Sequence, residues 1–175
     1  MADDTDTASA TKVGTMRYRT GTEYVEVTGI ELVVNGDFAT DSDWNTSATG
    51  ISISGGKLSR DATATASMFQ VSSVITASVL YEITFEIVDY TSGTLTPRFG
   101  YNGTGGTAVS GIGTYTQIIV KVDQNTIELY GTAFVGSIDN VSVVEVTAEN
   151  ASYADMCMQT GASTYEWVNI VRNTY

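Results

Sequence analysis

Between residues 81 and 90 the chain alternates residue by residue, with Ile83, Phe85 and Ile87 on one side and Glu82, Thr84 and Glu86 on the other. A period of two is the pleat of a β-strand that presents one face to a core and the other to water. Strands are predicted at 30–34, 50–53, 57–60, 66–71, 80–90, 96–101, 115–122, 126–130 and 136–146. They are punctuated by Asn35-Gly36-Asp37, Gly55-Gly56, Gly93, Asn102-Gly103 and Asn125. Turn signals every 8 to 12 residues or so define a β-sandwich or barrel. No stretch longer than about ten residues carries a 3.6-residue apolar pattern, so almost no helix is expected.

Composition bounds the chemistry. At 175 residues and 42% apolar, the chain can bury the core of one sandwich-sized domain plus a small appendage. Acidic residues number 20 against 8 basic, a formal charge of -12 that repels phosphate backbones, so nucleic acid is not an expected partner. Histidine is absent, which removes the commonest general base and metal ligand. The single Cys157 cannot form an internal disulfide or a thiolate metal cluster, and it reads as an apolar filler. Carboxylate and carbonyl chemistry remains, which suits Ca²⁺ or a carboxylate-pair hydrolase. Glu82 and Glu86, however, read as the wet face of a strand, and Gly103-Thr-Gly-Gly lacks the Lys-Ser/Thr of a phosphate loop. The expectation is a protein that is not an enzyme. The start, Met1-Ala-Asp-Asp-Thr-Asp, is acidic where a signal peptide is basic and then apolar, and no window has the roughly 20 apolar residues of a membrane span.

The two ends have a pattern of their own. Residues 1–12 read as a flexible, acidic N-terminal arm. Residues 13–28 read as two short strands turning at Gly21, and 148–175 as a second hairpin. Along Trp167-Val168-Asn169-Ile170-Val171 apolar groups fall on both faces, so this strand is expected to be covered twice. An isolated hairpin is marginal in water. The two ends are therefore expected to pair into one small sheet, 13–28 with 148–175, and 29–147 to form the sandwich between them. Four short strands supply too little apolar area for a closed core. Met16, Tyr18, Met156, Met158, Tyr165 and Trp167 are thus assigned to an interface within a homo-oligomer, with a trimer favoured.

Two resemblances extend this. Glu31-Leu-Val-Val-Asn-Gly-Asp-Phe with Asp43-Trp44, Ser54-Gly-Gly-Lys-Leu-Ser, Leu80-Tyr-Glu-Ile-Thr-Phe-Glu-Ile and Gly136-Ser-Ile-Asp-Asn-Val-Ser-Val resemble the carbohydrate-binding-module-like jelly rolls of galactose-binding-domain type, over roughly residues 30–146. Gly14-Thr-Met-Arg-Tyr-Arg-Thr and Met156-Cys-Met-Gln-Thr-Gly-Ala-Ser-Thr-Tyr-Glu-Trp-Val-Asn-Ile resemble a hairpin found in phage head-fibre, capsid decoration and tail-fibre proteins. The first resemblance implies a structural Ca²⁺ near Asn35, Asp37 and Asp139, although Ala39 replaces the family's usual acidic residue after the Phe. It also implies a glycan platform drawn from Trp44, Tyr90, Tyr101 and Tyr115, since pyranose rings stack on exposed aromatics. Together they imply a virion structural protein, made in the host cytoplasm without a signal peptide. It would oligomerise, contact capsid or tail proteins, and display a jelly roll on the particle. The alternative is a non-catalytic adhesion module that binds a host-surface glycan.

Overall fold

A computed structural model describes residues 5–71, 75–100, 103–121 and 125–174. Among these the chain is all-β and β-sandwich-like. After a single 3-10 turn at Ala10–Lys12 come β1 (Met16–Glu26), β2 (Ile51–Ile53), β3 (Leu58–Arg60), β4 (Met68–Val71) and β5 (Leu80–Phe99). They are followed by β6 (Thr104–Gly105), β7 (Gly113–Val120), β8 (Thr126–Gln159) and β9 (Tyr165–Thr174). The chain forms two compact units, one of residues 1–25 with 147–175 and one of residues 26–146, and β8 supplies strand to both.

In the larger unit β5 and β8 run antiparallel from Leu80↔Val146 to Phe99↔Ile127. β7 pairs with β5, while β3 and β4 pair with β8. An unbroken β5 would hold Tyr81 and Phe99 about 60 Å apart, yet their ring centroids lie 5.3 Å from each other. The ladder therefore doubles over on itself. Register shifts at Thr84/Glu86, Ile87/Asp89, Tyr90/Ser92 and Ser92/Thr94 make the bend, as extra residues do in bulged strands. Gly93 lies at its crest with φ +80°, where a Cβ would overlap the Ala133 carbonyl. The inner faces thus enclose Ile83, Phe85, Ile87, Leu95, Phe99, Ile127, Leu129 and Phe134, all fully buried.

Three sequence expectations need correction. Residues 30–34 are not a strand: Leu32 N–H reaches the Val143 carbonyl of β8, but side chains take the bonds on either side, Glu31 Oε1 accepting from Val33 N–H and Val143 N–H and Gln70 bonding both the N–H and the carbonyl of Val34. Gly21 is not a turn, since β1 runs straight through it. Its missing side chain makes room for the Tyr153 ring, 3.2 Å from where a Cβ would sit. Segments 80–90 and 96–101 are not separated by a loop, and neither are 126–130 and 136–146: bent but unbroken pairing fuses each pair into β5 or β8.

Candidate functional site

The smaller unit is a three-stranded antiparallel sheet in which β8 lies between β1 and β9. β8 and β9 pair from Ala151↔Thr174 to Gln159↔Tyr165, with an extra residue in β9 opposite the step from Ala154 to Asp155. At the start of β1, Gly14 N–H donates to the Cys157 carbonyl and Cys157 N–H to the Thr15 carbonyl. Alternation then divides the side chains between two unlike faces.

One face carries a polar and aromatic network centred on Asp155. Asp155, 1% exposed, accepts at Oδ2 from Arg17 Nε (2.9 Å) and Arg19 Nε (2.8 Å), and at Oδ1 from Asn169 Nδ2 (2.9 Å). Burial alone would raise its carboxyl, but the bonds from Asn169, Arg19 and Arg17 outweigh burial and hold it below the usual carboxylate value. The Arg17 guanidinium lies 4.6 Å from the Trp167 ring centre and that of Arg19 lies 3.8 Å from the Tyr153 ring, geometry suited to cation–π attraction. Tyr153 donates to Glu23, a bond that raises its phenol above the usual value, and Glu23 also pairs with Arg172. The stretch read as a flexible arm has defined contacts here over residues 5–12: Trp167 Nε1–H donates to the Asp6 carbonyl, and Lys12 Nζ pairs with Asp6 at 2.7 Å.

The opposite face is apolar and open. Met16, Tyr18 and Tyr24 come from β1, Ala154, Met156 and Met158 from β8, and Val168 and Val171 from β9, with Thr20, Ser152 and Asn173 at one end and Glu166 beside Met158 at the other. Met16 is 46% exposed, Tyr18 47% and Met158 43%. At the other end of this face Tyr18, Thr20, Ser152, Ala154, Val171 and Asn173 line a groove of about 250 Å³. Of the six residues assigned to an interface, Met16, Tyr18, Met156 and Met158 share the open face. Tyr165 and Trp167 lie across the sheet, opposite Gln159 and Cys157, where the chain's own Asp6 and Arg17 engage the Trp167 indole. The Arg17–Arg19–Asp155–Asn169 network had a faint signal in the sequence: two arginines spaced i, i+2 on one strand face, and a lone aspartate in an apolar strand at the far end of the chain.

The glycan candidates in the larger unit are less accessible. Trp44 is 5% exposed, packs on Phe38 at 5.3 Å and donates its indole N–H to the Asn35 carbonyl, so it is a core residue and not a platform. The Tyr115 ring packs on Phe85, and its hydroxyl donates to the carbonyls of Ser110 and Gly111. Tyr90 packs on Phe134 and donates to the Gly93 carbonyl, with over a third of the residue exposed. Tyr101 lies outside the described residues. Elsewhere on this unit Ser52, Ser59, Asp89, Thr91, Val135 and Ser137 line a groove of about 260 Å³, with Asp89 paired to Lys57.

Of the residues assigned to Ca²⁺, Asn35 spends its side chain on the loop that follows it, bonding Thr40 N–H and the carbonyls of Thr40 and Ser42. Asp37 accepts from Ala39 N–H, and Asp139 from Asn140 N–H. Among the described residues no three or more acidic or sulfur side chains come together as a metal site, and no helix is long and apolar enough to cross a membrane.

The fold and this site define an all-β protein with a two-faced accessory sheet. Comparison with family models, curated proteins and solved structures returned no match.

Proposed function

We propose that the chain is a structural component of a phage virion, a capsid decoration, head-fibre or tail-associated protein. In this role the terminal sheet associates with other polypeptides, and the larger unit, a jelly roll in this reading, is displayed on the particle. The observation that carries the proposal is the open apolar face around Met16, Tyr18 and Met158. Large exposed apolar patches on soluble proteins are commonly interaction sites, and methionine and aromatics are enriched at such contacts. The polar network across the sheet favours the same reading, because it ties β1, β8 and β9 together through Asp155 and leaves the other face open. The -12 charge favours solubility before assembly. The test is immunolabelling and mass spectrometry of purified particles, with the intact chain and with residues 148–175 deleted. The intact chain is expected at the particle surface and the truncated chain is expected to be lost from it. Particles without the intact chain would overturn the proposal.

The hydroxyl-rich groove beside Asp89 favours a second reading, a glycan-binding adhesion module. Glycan-array binding that disappears in Asp89→Ala and survives deletion of residues 148–175 would support it over the first.

A further inference from the structure

We infer that the open apolar face of the terminal sheet docks a second copy of this chain, face to face, about a two-fold axis. This deepens the associating role proposed above and rests on it. A ridge and a groove lie at opposite ends of one face. Met16 on β1 and Met158 on β8 stand up at one end, still exposed, while Ser152, Ala154 and Val171 help to form the groove at the other. Ser152 and Met158 are six residues apart on one continuous strand, roughly 20 Å. The extra residue of the bulge lies in β9, so the alternation along β8 is undisturbed and both side chains project from the same face.

A two-fold axis in the plane between two such sheets, perpendicular to the strands, places the ridge of each copy over the groove of the other. That reciprocity is the signature of an isologous contact. A groove floored by Ala154 and sided by Val171 and Tyr18 suits a flexible thioether. Three strands about 4.8 Å apart and about ten residues long present a footprint of roughly 460 Å² per copy. Two copies would bury about 900 Å², above most incidental contacts and below a standard permanent interface of about 1,600 Å². The contact is therefore reversible and concentration-dependent. Both copies carry -12, so salt should strengthen it by screening their repulsion.

The test uses the full chain. Sedimentation equilibrium from about 1 to 500 μM should show a monomer–dimer equilibrium, weakened at least tenfold by Met158→Lys or Tyr18→Glu, two exposed sites whose substitution should leave the far-UV circular dichroism unchanged. Under mild oxidation, a mixture of Ser152→Cys and Met158→Cys should form the mixed disulfide faster than either variant links to itself. A monomer throughout the range, a trimer, a dimer indifferent to both substitutions, or faster self-linking would each overturn the inference. A monomeric chain still recovered on particles would leave the virion role standing, and a dimer absent from particles would remove that role alone.

Discussion

Arg19 Nε donates to Asp155 Oδ2 across 2.8 Å, joining β1 to the middle strand of the terminal sheet although 136 positions separate the two residues. Arg17 adds a second bond to the same oxygen, so one buried carboxylate ties the two chain ends together. Removing it takes this acceptor from two arginines and Asn169. Because both guanidinium groups retain some solvent, Asp155→Ala should cost about 2 kcal/mol, below the full penalty for breaking a buried pair. Urea melts in a Trp44→Phe background, followed by the emission of Trp167, which contacts Arg17, would register this as an earlier transition of the terminal unit.

The same carboxylate sets an acid limit. Its value is held below the usual 3.8 in the folded chain, so its contribution is fully present above the unfolded value and fades as pH falls through the lower folded one. The terminal unit should therefore lose stability as pH falls below about 4, the unfolded value, and keep losing it until the folded carboxylate is protonated. Asp155→Asn should be less stable at neutral pH and show a flatter acid dependence over that window. An unchanged acid profile in this variant would count against the assignment.

Gly93→Ala should be among the most damaging single-atom additions in the larger unit. A Cβ there would overlap the Ala133 backbone, which cannot swing aside as a side-chain tip can, and φ +80° is strained for an L-residue. A loss of about 3 kcal/mol or more is expected. Gly55→Ala, also at positive φ but with open space around it, should cost only about 1 kcal/mol. Thermal melts of the two variants side by side separate the clash from the backbone strain.

Trp44→Ala should act on stability. With its ring buried against Phe38, truncation should cost about 3 to 5 kcal/mol. Trp44→Phe should recover most of that while losing the indole bond to the Asn35 carbonyl. Calorimetry tests this, and any glycan binding should be equal in the wild type and in folded Trp44→Phe.

What the sequence determined by itself was whatever depends on neighbours two residues away. The alternation of Ile83, Phe85 and Ile87 is the burial pattern of β5, because a pleat exposes every second side chain wherever the strand pairs. The all-β class followed from the same rule applied along the chain. Several local cues had two physical readings, and only the tertiary structure chose between them. Gly21 could make a turn or clear space for Tyr153, and residues 30–34 could pair as a strand or be held by Glu31 and Gln70. Trp44 could face a ligand or Phe38. For the candidate site, the apolar residues were legible but their division was not: Tyr18 and Met158 share one face while Trp167 lies on the other. Face depends on register, a slip of one residue reverses it, and the register of β8 is held by contacts such as Arg19 to Asp155 that no local window contains.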